Sequence, residues 1–177
     1  MLHEVILVNE KDEPIGVMEK MAAHEQALLH RAFSIFIFNS EGLMLLQKRA
    51  ATKYHSPGLW TNACCSHPMP GESTDAAAVR RLQEELGFVT PVEKVFHFTY
   101  KAPFDNGLTE HEFDHVYMGL YNGALQPDSN EVDAWRYVSM ADIQAEITTQ
   151  PTTFTPWFLI AFPLLKKWMK QNHILYA

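Results

Sequence analysis

The stretch Ser66-His67-Pro68-Met69-Pro70-Gly71-Glu72-Ser73-Thr74-Asp75-Ala76-Ala77-Ala78-Val79-Arg80-Arg81-Leu82-Gln83-Glu84-Glu85-Leu86-Gly87-Phe88 decides how this chain is read. After Pro70 and Gly71, Ser73 or Thr74 can cap a helix, since a hydroxyl there accepts from backbone N–H groups that have no partner in the first turn. Ala78, Val79, Leu82 and Leu86 recur at helical spacing and so share one face, and Gly87 is the expected terminator. Arg80 and Glu84 lie four residues apart, as do Arg81 and Glu85, so each pair sits side by side. Taken by spacing alone, these are two exposed ion pairs of about 0.3 to 0.5 kcal/mol each.

Outward from this helix, Val5 to Val8, Phe33 to Phe38 and Leu43 to Gln47 are short apolar or β-branched runs. The second and third are joined by Asn39-Ser40-Glu41-Gly42, a hairpin signal. Val92 to Lys101, Glu112 to Tyr121 and Ala134 to Val138 are further expected strands, and Ala141 to Ile147 and Thr155 to Lys170 further helices. Strands grouped in hairpins as well as following helices predict an α/β (α+β) fold with a mixed β-sheet between helices, not a wholly parallel, doubly wound sheet.

The chain has 177 residues, which is expected to make one domain over 1–177. A hydrophobic share of 47% with 20% charged residues argues against disordered, collagen-like and coiled-coil classes. A net charge of −7 opposes nonspecific attraction to a phosphate backbone, so no nucleic-acid partner is expected. Cys64 and Cys65 are adjacent, a poor geometry for an unstrained disulfide, and as free thiols they suit a reducing compartment. Met1 to Glu10 lacks the basic start and long apolar centre of a secretory signal, which predicts a cytoplasmic protein. Trp157 to Leu165 is apolar but far below the roughly 20 residues of a spanning helix, and Pro163 interrupts it, so a docked helix is expected and no membrane partner.

Ser66, Glu72, Arg80, Leu82, Glu84, Glu85, Gly87 and Phe88 fall on the spacing of a Nudix box, and this span resembles that family, in which a loop and helix present carboxylates to metal bound by a diphosphate. A hydrolytic box has Gly and then Arg-Glu where this chain has Ser66 and then Arg80-Arg81. A guanidinium grips diphosphate oxygens but cannot ligate a cation, so binding without cleavage becomes plausible. Glu85 remains available to Mg²⁺, which prefers oxygen ligands and keeps substrate phosphates in its shell.

The segment Pro57-Gly58-Leu59-Trp60-Thr61-Asn62-Ala63-Cys64-Cys65-Ser66-His67-Pro68 runs into this box. Its Trp-Thr-Asn followed by Cys-x-His-Pro resembles the type 1 isopentenyl-diphosphate isomerases. Three more segments are similar to that family: Lys20 to His24 with Leu29 to Ser34, Glu110-His111-Glu112, and Thr155-Pro156-Trp157. The resemblance implies a Nudix-like mixed sheet sandwiched between helices and conversion of isopentenyl diphosphate to dimethylallyl diphosphate. It implies Cys65 and Glu112 as acid/base groups, Tyr100 as a proton-transfer partner and Trp157 as an aromatic wall. It also implies His24, His30, His67, Glu110 and Glu112 as ligands of Mn²⁺ or Zn²⁺, Glu85 as the Mg²⁺ site, and Lys20, Arg49, Lys53 and Arg81 as diphosphate-binding groups.

Strand alternation allows Glu110 and Glu112 to point into one site while His111 points away. His24 and His30 are six residues apart, about 600° of helical rotation, so a bend is needed to bring them together. Two other readings stand beside the isomerase: hydrolysis of a nucleotide diphosphate, and ligand binding without chemistry. A cysteine protease explains less, because nothing in it predicts the acidic box. His3, His55, His97, His111, His115 and His173 receive no role.

Overall fold

The structure, a computed structural model, describes residues 4–104 and 106–174; His3 lies outside them. In chain order the described residues form β1 (Glu4–Val8), β2 (Pro14–Glu19), α1 (Lys20–Glu25), β3 (His30–Phe38), β4 (Met44–Arg49), β5 (Trp60–Thr61), β6 (Cys64–Ser66), α2 (Thr74–Leu86), β7 (Val92–Pro103), β8 (Thr109–Leu120), β9 (Val132–Val138), α3 (Met140–Thr149), a short 3-10 turn (Pro151–Thr153) and α4 (Pro156–Gln171). Strand β3 organises the sheet. It runs parallel to β8 along its whole length, from His30 opposite Glu112 to Phe38 opposite Leu120. Its other edge is shared in turn by β1 at His30, by β6 from Phe33 to Ile35, and by β4 at Phe38. Beyond these, β7 pairs antiparallel with β8, β2 with β1, and β4 with both β5 and β9. The sheet is therefore mixed, as expected.

Alternation along β3 divides the core into two layers. Phe33, Ile35 and Ile37 pack with Ala77, Ala78, Leu82 and Leu86 of α2. Phe36 and Phe38 pack with Trp157, Phe158, Ala161 and Phe162 of α4. Helices thus cover both faces of the central strand. Helix α2 begins where Ser73 accepts from the Ala76 backbone N–H and ends at Gly87, whose φ of 74° is the left-handed turn. Ala77 takes the core position expected for Val79, which is only partly buried. Helix α4 continues through Pro163, whose exposed position lies away from the core. No helix among the described residues is long and apolar enough to cross a membrane.

Candidate active site

The chain turn between α1 and β3 solves the problem of the two histidines. His24 sits in the last turn of α1, Ala27 takes a positive φ of 53°, and His30 is the first residue of β3. The parallel register then sets His30 opposite Glu112, and His67 follows directly after β6. One donor atom from each of His24, His30, His67 and Glu112 falls within 4.8 Å of every other. His30 Nδ1 lies 2.8 Å from the Leu28 carbonyl, which can only accept, so this nitrogen carries the proton and Nε2 keeps its lone pair. Nε2 of His24 and of His30 are both buried with no hydrogen-bond partner. Buried nitrogen lone pairs beside a carboxylate are an unfavourable arrangement unless a cation joins them, and three nitrogens with one oxygen suit a divalent ion. Burial, reinforced by the neighbouring His67 and His30, lowers the His24 pKa to about 3. Burial and then Lys20 lower that of His67 to about 4 against the pull of Glu112. Both rings are therefore neutral near pH 7, the form that ligates metal. Glu110 lies outside this group of four.

Glu112 faces two ways. Its Oε1 lies 2.9 Å from His67 Nε2 and 3.5 Å from His30 Nε2, while its Oε2 lies 2.7 Å from the Tyr100 hydroxyl. That hydroxyl is also 2.9 Å from Glu110 Oε2. One hydroxyl proton cannot satisfy two carboxylates, so the trio needs a second proton, and electrostatics place it on Glu110. Burial and then the Glu112 charge push Glu110 well above the usual carboxylate range. Burial also opposes ionisation of Glu112, but the His67 hydrogen bond and the adjacent His30 and His67 rings outweigh it and hold its pKa well below that range. His111 points away, its ring 3.0 Å from the Ala27 carbonyl, as alternation requires.

Strand β6 is short, yet it sorts the two cysteines. Cys64 is fully buried in the layer against α2, whereas Cys65 packs on the α4 side. Both thiols are free. The Cys65 S–H donates to Asn62 Oδ1 at 3.0 Å, and Ser34 Oγ lies 3.4 Å from the sulfur. Burial, then the charge of Asp114, pushes the Cys65 thiol up, so the resting group is protonated. Asp114 itself is buried, raised well above its usual pKa by burial and then by Glu112, with Ser34 Oγ 2.7 Å away.

One pocket is lined by Cys65, Tyr100, Glu110, Glu112 and Trp157 together with Lys20, Arg49, Lys53, Arg81 and Glu85. His67 also lines it, whereas His24 and His30, which gather with His67 and Glu112, do not. Two residues missed from sequence, Tyr54 and His55, complete the wall. The His55 ring stacks on Phe104 at 5.0 Å, meets Trp157 edge-on at 5.5 Å, and brings Nε2 within 3.4 Å of Glu110 Oε1. The Arg49 guanidinium lies 5.1 Å from the Trp157 ring centre.

These residues can be set beside known proteins. The NUDIX domain family matches residues 28–158. The isopentenyl-diphosphate Delta-isomerase of Serratia proteamaculans is 53% identical over 155 residues, covering 88% of this chain and 87% of that protein. That of Burkholderia multivorans is 46% identical over 173 residues, covering 95% and 98%. The chain belongs to the Nudix isopentenyl-diphosphate Delta-isomerase family. In fold it also resembles a Deinococcus radiodurans protein, with a TM-score of 0.69 at 21% identity over 84% of this chain and 90% of that one. A MutT Nudix hydrolase from Burkholderia pseudomallei superposes with a TM-score of 0.60 at 20% identity, over 76% and 96%. At such identities the likeness is one of fold.

Membership of the isomerase family makes the degenerate Nudix box informative. Arg81, standing where a hydrolytic box has Glu, lies 2.7 Å from Glu84 Oε2 and 3.3 Å from Glu131 Oε1, and pairs with Glu85. Lys53 is paired with Glu131. Gln47 donates to the other Glu85 oxygen at 3.1 Å. The Arg81–Glu85 pair is thus not the exposed pair that spacing predicts: Glu85 is 4% exposed, with Gln47 of β4 on its second oxygen and Glu131 on its partner Arg81. Nudix membership implies use of a divalent metal.

Proposed function

We propose that this isomerase moves the double bond of isopentenyl diphosphate to give dimethylallyl diphosphate, as a single Nudix-like domain, with Cys65 and Glu112 exchanging protons at opposite faces of the five-carbon tail. The observation that carries this assignment is that Cys65 and Glu112 line one pocket together with the basic residues Lys20, Arg49, Lys53 and Arg81. Adding a proton to an isolated alkene builds tertiary carbocation character, and removing another from the neighbouring carbon completes the shift. Glu112 acts through Oε2 and Tyr100 while its other oxygen stays with the histidines, so one carboxylate serves as both metal ligand and proton carrier. Trp157, whose ring already attracts Arg49, offers its face to the developing cation. Cation–π attraction supplies about 2 kcal/mol when desolvated, some thirtyfold, far short of the millionfold typical of enzymes. The larger share comes from the Glu112 carboxylate and from alignment of donor and base.

When bound, Mn²⁺ or Zn²⁺ on His24, His30, His67 and Glu112, with Glu110 adjacent, supplies positive charge that fixes the Glu112 carboxylate, and Mg²⁺ at Glu85 neutralises diphosphate oxygens. Lys20, Arg49, Lys53 and Arg81 hold the diphosphate. Hydrolysis of a nucleotide diphosphate fits less well, because Arg81 occupies the carboxylate cluster that would gather metals. The free thiols agree with a cytoplasmic setting. Incubation with isopentenyl diphosphate and Mg²⁺ in deuterium oxide tests the reading: deuterium should enter an isomerised product without phosphate release, and phosphate release without isomerisation would refute it.

A further inference from the structure

His55 stands where two cavities meet. The catalytic pocket is small, about 60 Å³, and beside it runs a groove of about 580 Å³ whose lining includes Phe104, Phe154, Pro156 and Leu159. Tyr54 and His55 line both, so these two residues form the wall that the cavities share. Tyr54 is 41% exposed and His55 only 7%, so the buried part of that wall is His55. Its ring touches one aromatic residue of each cavity: it stacks on Phe104 of the groove at 5.0 Å and meets Trp157 of the pocket edge-on at 5.5 Å. The Tyr54 ring makes a further T-shaped contact at 4.4 Å. Packing more than hydrogen bonding holds the imidazole, because Nδ1 is buried with no hydrogen-bond partner and Nε2 comes no nearer than 3.4 Å to Glu110 Oε1. The main chain is tied down instead. The His55 carbonyl accepts from the Arg49 guanidinium at 3.2 Å, and the base of the loop is closed by two backbone bonds of 3.0 Å, from Gly58 N–H to the Arg49 carbonyl and from Arg49 N–H to the Leu59 carbonyl.

We infer that His55 is a specificity-determining residue: its ring bounds the space open to the substrate's hydrocarbon tail and so excludes homoallylic diphosphates whose branch is longer than methyl. The inference rests on the isomerase reading above, in which the tail lies against Trp157 and between Cys65 and Glu112. His55 contacts both Trp157 and Glu110, so a branch that grows along the indole meets this ring. A packed aromatic wall yields little to added volume, and each methylene it refuses is worth roughly ten- to two-hundredfold in specificity. Truncating the ring joins the pocket to the groove, where Phe104, Pro156 and Leu159 offer apolar surface to the added carbons.

The test compares, on the full-length protein, kcat/KM for isopentenyl diphosphate with kcat/KM for an analogue whose branch methyl is extended to butyl. Wild type should prefer isopentenyl diphosphate by roughly a thousandfold or more, about tenfold for each of the three added methylenes. In His55→Ala that ratio should fall by roughly a hundredfold or more. His55→Phe keeps a flat ring and loses the nitrogen near Glu110, and should hold the ratio within about threefold of wild type. A purely structural role would lower both substrates together and leave the ratio where it was. Should His55→Ala not fold, His55→Val decides in its place, with a fall in the ratio of about tenfold or more. An unchanged ratio in the folded variant overturns the inference, as does a wild type that accepts both substrates alike, or a His55→Phe protein that admits the longer branch as readily as His55→Ala. Wild type that fails to isomerise isopentenyl diphosphate would instead overturn the isomerase reading, so the two failures are distinguishable.

Discussion

Replacing Tyr100 by Phe separates the two duties of Glu112. The ring, buried and stacked on Phe98 at 5.6 Å, keeps its packing, and only the hydroxyl shared by Glu110 and Glu112 is lost. Those carboxylates are 5% and 6% exposed, so water does not readily replace the hydroxyl. A hydrogen bond to a charged group contributes about 1.5 to 3 kcal/mol, and an oxygen left without a partner costs about as much. The two overlap as measures of one loss and do not add, so the destabilisation is roughly 2 to 4 kcal/mol. At about 2 to 4 °C per kcal/mol for a chain of this length, the thermal midpoint should fall by roughly 5 to 15 °C. Turnover should fall by about a hundredfold or more, the low end of what a positioned proton-transfer group contributes. Metal stoichiometry should not change, since Oε1 of Glu112 still faces His67 and His30. Differential scanning calorimetry, steady-state isomerisation and metal analysis read these three quantities. A Tyr100→Phe protein that loses its metal but keeps turnover within threefold of wild type would refute the division of labour between the two oxygens.

Burial lowers the pKa of His24 to about 3, of His55 to about 2 and of His67 to about 4, so below the ordinary value of 6.5 the unfolded chain takes up protons that the native chain refuses. Metal-free protein should therefore gain stability as pH rises from about 4 to 6.5, although Glu110 and Asp114, whose pKa values are raised, offset part of the slope; urea midpoints that stay flat or fall over this range would contradict it. Zn²⁺ at a hundred times its dissociation constant should stabilise the folded chain by about 2.7 kcal/mol. His24→Ala should remove most of that increment, and an equal Zn²⁺ response in the variant would exclude His24 as a ligand. Gly87→Ala should destabilise by about 2 kcal/mol or more, since a Cβ there would collide with the Gln126 carbonyl oxygen at a φ of 74°; calorimetry showing less than about 0.5 kcal/mol would mean that the α2 end relaxes freely.

Much of the fold is legible in the chain because local signals agree with it. Ser73, the apolar spacing of Leu82 and Leu86, and Gly87 mark α2 without tertiary help, and the apolar runs mark β1, β3, β4, β7, β8 and β9. Four elements escape the same reading for physical reasons. Strand β2 carries Pro14, Gly16 and the exposed Ile15 and Val17, so it shows no buried face. Helix α1 has six residues, too few for a period, and β5 and β6 have two and three. In the site, alternation of Glu110 and Glu112 extends to Asp114, a signal present in sequence and overlooked. His55 carries no comparable signal: it lies in a loop, and only folding brings it against Trp157 and Glu110. Helical spacing correctly makes Arg81 and Glu85 neighbours, yet burial of that pair depends on Gln47 and Glu131, which lie far away in the chain.

Proton exchange at Cys65 is the step most directly open to measurement. Cys65→Ala, shown to keep its thermal unfolding and its metal content, should isomerise isopentenyl diphosphate at least a hundredfold more slowly than wild type, the least that a positioned acid or base contributes. Turnover of that folded variant at the wild-type rate would contradict the account.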